Sequence, residues 1–229
     1  MKKNSKVAIL FDLDDTLIPT TSYYPLAVQE AIGCDENYAL NFQEARAHVK
    51  NKLPPKHVAA RNRILYFKAY LEILGDRKRS PVHLYDSYEG ELVRLIRNWG
   101  KVNQRFELLK QFSLTHDLYI LTNENARTQL NKIDALLPKR CDQNIFKEIF
   151  TSEECGFEKP NIEFFNNFFE SKSLKPTQCI LVGDDYDNDI APALRPGITA
   201  IQSIEFLDSA PRNASHTVIS NLKDLVALL

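Results

Sequence analysis

The sequence has no long apolar run, and its net charge is close to zero. No segment of its 229 residues approaches the roughly 18 consecutive apolar residues that a membrane-spanning helix needs. A formal net charge of -1 gives no overall attraction to nucleic acid or to an anionic membrane surface. We therefore expect neither of these as a partner.

Cysteine is scarce and widely spaced. The four cysteines form no CxxC pair and no cysteine-histidine pattern typical of zinc sites: Cys34, Cys141, Cys155 and Cys179. Two lysines follow Met1, but the apolar run after them is only five residues long and ends in carboxylates, which is not the form of a signal peptide. These observations favour a protein of the reducing cytoplasm.

What the sequence does contain is a short apolar run that ends in acids. Residues 7–11 are all apolar, which predicts a strand buried on both faces. Asp12, Asp14, Asp15 and Thr16 follow at once. Ligands of open parallel sheets bind beyond the carboxyl ends of the strands, so we expect Asp12 and Asp14 to lie at a crevice. Clustered carboxylates repel one another and need a divalent cation or a lysine to stay ionised.

After residue 101, strand and helix patterns alternate along the chain. The predicted strands are 7–11, 118–121, 146–150, 179–182 and 198–201. The predicted helices of this part are 103–112, 124–137, 161–171, 187–194 and 221–229. Such alternation predicts an α/β fold with a doubly wound parallel sheet and helices on both faces.

Between the first strand and residue 101, only helical spacing is present. The predicted helices are 23–32, 37–52, 57–74 and 81–99. A connection of this length inside a sheet needs structure of its own. We therefore predict a core formed by residues 1–17 and 101–229, with an inserted all-helical domain at residues 18–100.

Reactive side chains follow four of the predicted strands. They are Asp12 and Asp14, then Thr122 and Asn123, then Lys159, and finally Asp184 with Asp185. The carboxyl ends of parallel strands lie on one edge of the sheet, so these distant residues can converge on one pocket.

The first pair of acids suits nucleophilic and proton-transfer chemistry. Alternation along a strand makes Asp12 and Asp14 point the same way, so one carboxylate can attack a substrate while the other handles the proton. Asp12 must be ionised, and we expect Lys159 and a cation to favour that form. Asp14 must hold a proton at one stage, so we expect it in the less cationic environment.

The remaining residues offer positive charge, hydrogen bonds and metal ligands. Thr122 and the backbone N–H groups at the start of helix 124–137 could hold an anion. Lys159 adds a point charge suited to phosphate. Asp184, with Asp185 and Asp189 behind it, offers the oxygen ligands that Mg²⁺ prefers. Together these groups suit phosphoryl transfer.

Each of these signals also has an ordinary structural interpretation. Residues 14–16 could form a polar turn, Lys159 could belong to a surface loop, and Thr122 or Asn123 could cap the next helix. Residues 187–189 could likewise cap the helix that they begin. A shared site is favoured because independent caps and turns would not all fall on one edge of a sheet.

The same residues match a known pattern. The chain resembles the haloacid dehalogenase superfamily at all four of its motifs, in order: Asp12-Leu13-Asp14-Asp15-Thr16, Leu121-Thr122-Asn123, Lys159-Pro160, and Gly183-Asp184-Asp185 through Asp189. The resemblance covers residues 1–17 and 101–229 and implies a Rossmann-like core. The helical insert is similar in position to the C1 cap of that family, and we call it the cap.

The resemblance implies catalytic roles for the first motif. Asp12 would be the nucleophile that forms an aspartyl phosphate, and Asp14 would protonate the leaving oxygen and later activate water. Thr16 would steady the Asp14 carboxyl by a hydrogen bond. Dehalogenases of the family lack an acid at the position of Asp14, and a carbon-halogen bond needs no protonated leaving oxygen. The resemblance therefore favours a phosphatase.

It also implies a set of binding residues. The transferring phosphoryl group would be held by the Thr122 side chain, the Asn123 backbone and Lys159. Mg²⁺ would be bound by the Asp12 side chain, the Asp14 backbone carbonyl and Asp184. Asp185 and Asp189 would support the site, since members of the family differ in which acid of the fourth motif touches the metal.

The function implied is magnesium-dependent hydrolysis of a small phosphate monoester, with a phosphorylated metabolite as partner and a monomer or homodimer as the assembly. A phosphomutase of the same family would share the aspartyl phosphate. A receiver-like signalling module uses similar groups, but its phosphoacceptor follows the acid pair on a later strand and it has no helical insertion. A binding protein without turnover would not need all four motifs.

The cap is expected to determine the substrate. It should close over the sheet edge, exclude water and contact the leaving group. Residues 20–24 directly follow the acids and are the nearest candidates for this contact. His57, Arg61 and Arg63 could meet a second anionic group, or they could form a solvated helix face. Small sugar phosphates and nucleotides fit these features equally well.

Overall fold

One parallel sheet of six strands forms the centre of the structure, which is a computed structural model that describes residues 7–33, 37–138, 145–208 and 215–229. The strands are β1 (Ala8–Phe11), β2 (Asp117–Thr122), β3 (Phe146–Thr151), β4 (Cys179–Gly183), β5 (Thr199–Ser203) and β6 (Thr217–Ile219). Their order is β3-β2-β1-β4-β5-β6, and every neighbouring pair is parallel. The predicted Rossmann-like α/β fold is confirmed.

Cys34 and Cys141 lie outside the described residues.

Helices fill the connections between the strands. They are α1 (Thr20–Ile32), α2 (Tyr38–Lys52), α3 (Arg63–Ile73), α4 (Pro81–Arg97), α5 (Val102–Thr115), α6 (Ala126–Leu136), α7 (Ser152–Cys155), α8 (Ile162–Lys172) and α9 (Ala191–Leu194). The first four form the cap, although its limits at residues 18 and 100 stay a prediction. None of the described helices has the length and apolar character needed to cross a membrane.

Several elements differ from the prediction. The predicted helix 187–194 is a π-helical turn, Tyr186–Ile190, followed by the short helix α9. The predicted helix 57–74 is broken, because Val58–Arg61 forms a 3₁₀ helix and the Asn62 side chain accepts a hydrogen bond from the N–H of Ile64 at 3.1 Å, which caps α3. The C-terminal segment Leu222–Ala227 is a 3₁₀ helix rather than an α-helix. Strand β6 was not predicted, since it has three residues and only Ile219 is buried.

Strand β1 lies at the centre of the sheet and is buried on both faces. Ile9 and Phe11 pack in one apolar cluster that continues into the cap, whereas Ala8 and Leu10 pack in a second cluster with the phenylalanines of α8. Each fully buried large side chain contributes about 1.5–3 kcal/mol relative to exposure. This burial fixes β1, and with it the position of the acids that follow.

The cap and the core meet through α4 and α6. The Tyr85 hydroxyl lies 2.8 Å from Thr128 Oγ1, and Thr128 Oγ1 donates to Glu89 Oε1 at 2.6 Å, with all three side chains buried. Buried polar groups that are paired in this way hold two surfaces in one register. Helices α1, α2 and α3 are thereby placed above the carboxyl ends of the strands.

Candidate active site

The carboxyl ends of β1, β2 and β4 open into one cleft of about 530 Å³ between the core and the cap. Two observations account for the positions of all nine residues predicted for the site. Eight of them line the cleft: Asp12, Asp14, Thr122, Asn123, Lys159, Asp184, Asp185 and Asp189. Thr16 is fully buried and hydrogen-bonded to one of them.

A further predicted contributor is the start of the helix after β2, at Glu124. Its backbone N–H donates to Ser152 Oγ at 2.9 Å, and the N–H groups of Ala126 and Thr128 donate to Glu153 Oε2 at 2.8 Å and to Asn125 Oδ1 at 2.9 Å. These three N–H groups already have protein partners, so none of the three is open to an anion as predicted. The helix itself begins two residues later than predicted, at Ala126.

Lys159 lies at the base of the cleft and joins three strands. Its Nζ donates to Asp12 Oδ1 at 2.6 Å, to Asp189 Oδ1 at 2.6 Å and to the carbonyl of Leu121 at 2.9 Å. Burial lowers the pKa of Lys159, but Asp12 and Asp189 outweigh that effect and the net pKa is raised. Lys159 therefore stays protonated, and the alternative of an exposed loop residue is excluded, since it is 2% exposed.

The Asn123 side chain holds the backbone of Lys159. Its Nδ2 donates to the Lys159 carbonyl at 3.0 Å, and its Oδ1 accepts from the Lys159 N–H at 2.8 Å. Two hydrogen bonds between the same residues restrict both position and rotation. Asn123 thus places the lysine that contacts Asp12.

Three carboxylates crowd together beside Lys159. One oxygen from each of Asp12, Asp184 and Asp189 lies within 4.8 Å of the others. Burial, together with the charges of the neighbouring carboxylates, raises the pKa of Asp12 to about 7 and that of Asp184 to about 9, although the charge of Lys159 acts in the opposite direction. A hard divalent cation prefers such oxygen ligands and would keep these acids ionised. The side chains present therefore fit Mg²⁺.

Asp185 has a different position from its neighbour Asp184. Its carboxylate accepts from the N–H groups of Asp187 at 2.9 Å and Asn188 at 3.1 Å, which caps the π-helical turn Tyr186–Ile190. That turn brings Asp189 back towards the strand end. A Cβ on Gly183 would lie 2.5 Å from the Cβ of Asp189, so only glycine permits this approach.

The predicted role of Thr16 is wrong. Its Oγ1 donates to Asp184 Oδ1 at 3.3 Å rather than to Asp14. The chain turns tightly after β1, with the N–H of Leu17 donating to the carbonyl of Leu13 at 3.0 Å, and this turn directs Thr16 towards the end of β4. Thr16 therefore supports the cluster of three carboxylates.

Asp14 is held by two residues of α6 that the sequence analysis did not identify. Lys132 Nζ donates to both Asp14 carboxylate oxygens, at 2.8 and 3.0 Å, and Gln129 Nε2 donates at 3.0 Å. The same Gln129 amide donates to Thr122 Oγ1 at 2.7 Å. The signal that could have found these residues is their spacing, since positions 129, 132 and 136 share the buried face of a helix.

The Asp14 environment is the reverse of the prediction. Burial raises the pKa of Asp14, but the Lys132 charge and the hydrogen bonds from Gln129 and Lys132 outweigh it, and the net pKa is lowered. Asp12 also has a lysine partner, but it shares Lys159 with Asp189. The expectation that Asp14 lies in the less cationic environment is therefore wrong.

Lys132 also connects the core to the cap. Its Nζ donates to the Tyr24 hydroxyl at 3.1 Å and lies 3.5 Å from Glu124 Oε2. The other oxygen of Glu124 lies 2.6 Å from Arg63 Nη1. Tyr24 and Arg63 belong to the cap, whereas Glu124 and Lys132 belong to the core. One partly buried network thus runs from Asp14 to the cap.

The chain matches the model of the haloacid dehalogenase-like hydrolase family over residues 9–202. It is 38% identical over 212 residues to a glyceraldehyde 3-phosphate phosphatase of Methanopyrus kandleri, which covers 90% of this chain and 88% of that protein. It is 29% identical over 248 residues to a ribulose-1,5-bisphosphate 5-phosphatase of Halopiger xanaduensis, which covers 96% of this chain and 99% of that protein.

A solved structure shows the same fold. It is the crystal structure of the HAD-hydrolase YfnB from Bacillus subtilis bound to magnesium, with a TM-score of 0.70 and 22% identity over 98% of this chain and 99% of that one. The match to the family extends from β1 through β5 and includes every strand end that contributes to the cleft. The protein is therefore a member of the haloacid dehalogenase-like hydrolase family.

Proposed function

We propose that this protein is a magnesium-dependent phosphatase that hydrolyses a small phosphate monoester through an aspartyl phosphate. The observation that carries the proposal is the buried pair of Asp12 and Lys159, 2.6 Å apart at the base of a cleft that also holds Asp14. Relatives named as phosphatases of glyceraldehyde 3-phosphate and of ribulose 1,5-bisphosphate support this choice. Membership of a hydrolase family argues against the receiver-like alternative.

Asp12 is the nucleophile in this proposal. One carboxylate oxygen forms a bond to phosphorus while the bond from phosphorus to the ester oxygen breaks. The nucleophile must also be ionised and correctly oriented. Lys159 serves both needs, because its hydrogen bond to Asp12 Oδ1 favours the ionised form and fixes the direction of the carboxylate. Thr122, at the end of β2, and Lys159, which follows β3 along the chain, face the transferring group.

Asp14 handles the proton. It gives a proton to the leaving oxygen in the first step, and in the second step it takes one from the water that attacks the aspartyl phosphate. A bound phosphate dianion places negative charge beside Asp14 and so raises its pKa towards protonation. Lys132 and Gln129 keep the carboxyl in place between the two steps.

The candidate metal ligands are the Asp12, Asp184 and Asp189 side chains, with the Asp14 carbonyl as the further ligand that the family resemblance implies. Mg²⁺ held by these residues would supply positive charge to the phosphoryl oxygens. Thr16 orients Asp184 by its hydrogen bond. The magnesium in the crystal structure of YfnB supports the choice of this ion.

The proposal is tested with an aryl phosphate and the Asp12→Asn variant. Hydrolysis should require Mg²⁺, and the variant should lose about 10³-fold or more of the activity, because the amide is a poor nucleophile. Release of inorganic phosphate in proportion to ester cleavage separates hydrolysis from a mutase reaction. Asp86→Asn, an exposed change paired with Arg127 outside the cleft, is the matched control. Activity that survives Asp12→Asn would contradict the proposed nucleophile.

A further inference from the structure

The cap side of the cleft carries more positive than negative charge. The basic cap side chains that line it are Arg46, Arg61 and Arg63. They also lie near Lys50 of α2, because burial lowers the pKa of Lys50 and the charges of the three arginines lower it further. Among the described residues, the carboxylates paired with this group are Glu124 and Glu158. Three arginines at the cleft therefore have two paired carboxylates between them, so the group has a surplus of positive charge.

Two of these arginines already have partners in the core. Arg61 Nε donates to Glu158 Oε2 at 2.7 Å, and Arg63 Nη1 lies 2.6 Å from Glu124 Oε1. The Arg63 guanidinium also lies 4.7 Å from the centre of the Tyr24 ring. His57 is not among the residues that line the cleft, and its Nδ1 accepts from the N–H of Ala59 at 3.1 Å. The residues that the sequence suggested for a second anion are thus used in other contacts.

Arg46 is in a different situation. It projects from α2, lines the cleft and is exposed to solvent. In the described part of the chain no carboxylate lies within ion-pair distance of it. Its neighbours in the cleft include the rings of Phe42 and Tyr66, and it is hydrogen-bonded to the Tyr66 side chain. A cation beside aromatic walls is suited to bind an anion at the end of a carbon chain.

We infer that Arg46 binds a second anionic group, a phosphate or a carboxylate, at the end of the substrate remote from the transferring phosphoryl group. The inference rests on the proposed function, because that function places the first phosphoryl group at Asp12 and Lys159. The cleft has room for both groups, since its 530 Å³ extends from the strand ends to α2. The substrate class is then a phosphate monoester of a short polyol or sugar that carries a second anion.

Binding of phosphonates tests the inference without turnover. The ligands are α,ω-bisphosphonates with propane to hexane chains, the corresponding carboxyalkylphosphonates, and hydroxyalkylphosphonates of the same lengths, measured by calorimetry with Mg²⁺. At the best length, a doubly anionic ligand should bind about tenfold or more tightly than the hydroxy ligand, because charge-assisted hydrogen bonds are strong. Comparison of bisphosphonate with carboxylate identifies the anion that is preferred.

Matched variants locate the effect. Arg46→Gln should reduce the preference to about twofold or less, whereas Arg46→Lys should keep part of it because it retains the charge. Arg77→Gln removes an exposed cap arginine that does not line the cleft, and it should keep the full preference. Equal binding of all ligands at every length, or a preference that survives Arg46→Gln, would overturn the inference.

The inference and the proposed function can fail separately. If aryl phosphate hydrolysis is lost in Asp12→Asn while no second anion is preferred, the inference falls and the phosphatase stands. If the preference depends on Arg46 but hydrolysis survives Asp12→Asn, the proposed nucleophile falls and the second anion site stands.

Discussion

The two sides of the cleft hold their charged groups in different ways. On the core side, Asp12 and Lys159 follow strand ends, and their contacts lie within the core. On the cap side, Arg61 and Arg63 pair with Glu158 and Glu124, which belong to the core. The core side is thus fixed by the sheet, whereas the cap side depends on how the two units meet.

This difference separates two tasks. The core side can hold a phosphoryl group whatever alcohol it is attached to, because its groups surround the reacting atoms. The cap side contacts the rest of the substrate and can distinguish one ester from another. Lys132 is the exception, since it belongs to the core but contacts both Asp14 and the cap residue Tyr24.

The largest effect is expected from Lys132→Met, which removes this link. The change leaves Asp14 and Glu124 without their shared cation, so the free energy of unfolding should fall by about 3–5 kcal/mol. The kcat/KM for alkyl phosphates should fall by about 10²-fold, and more than for aryl phosphates, because good leaving groups need less protonation. Denaturant titration and steady-state kinetics measure the two effects.

Lys147→Met is the control for this change. Lys147 is largely exposed and lies 3.7 Å from Asp117, so its loss should alter the free energy of unfolding by less than about 1 kcal/mol. An equal loss of alkyl and aryl phosphate turnover in Lys132→Met would show that the lysine does not act through the proton carrier Asp14.

A smaller effect, confined to the core side, is expected from Gly183→Ala. The new Cβ would overlap Asp189, which must move away from Asp12 and Asp184. The apparent affinity for Mg²⁺ should fall about tenfold or more, whereas the preference for doubly anionic ligands should remain. Gly90→Ala is the control: it lies in α4, a Cβ there meets nothing within 4 Å, and it should stabilise the fold by about 0.5–1 kcal/mol. Unchanged Mg²⁺ dependence in Gly183→Ala would argue against Asp189 as a ligand.

The smallest expected effect is a pH-dependent response to Mg²⁺. The pKa values of Asp12 and Asp184 are raised from 3.8 to about 7 and about 9. The folded state therefore binds more protons than the unfolded chain, and this contribution to stability is lost as the pH rises through those values. Asp14 has a lowered pKa and contributes the opposite trend only in acid.

Mg²⁺ would bind the ionised carboxylates, so it should raise the Tm more at about pH 8 than at about pH 5.5. Thermal unfolding at both pH values, with and without Mg²⁺, measures this difference. Asp184→Asn should reduce it. An equal increase in Tm at both pH values would contradict the placement of the cation among these acids.

The part of the site that depends on chain order could be predicted from the sequence. Asp12 follows an apolar strand directly, and Lys159 and Asp184 follow later strands, so a parallel sheet brings them to one edge whatever the details of packing. The same logic predicted the sheet itself. Strand β6 escaped it because three residues do not show a period.

The other contacts of the site depend on how helices and turns are oriented, which the local sequence does not determine. Lys132 reaches Asp14 only because α6 packs with one particular face towards the cleft. Thr16 reaches Asp184 because a tight turn reorients it. The sequence analysis did not identify Arg46 as a candidate binding residue, because its position at the cleft depends on how the cap and the core pack together. Packing decides each of these contacts.

The ion pair between Arg63 and Glu124 links the cap to the proton carrier Asp14, because Lys132 lies between Glu124 and Asp14. Moving the cap away from the core would separate Arg63 from the buried Glu124 and would also withdraw the Tyr24 hydroxyl from Lys132. The position of the cap and the position of the Asp14 carboxyl are therefore coupled through Lys132, which contacts both Tyr24 and Asp14.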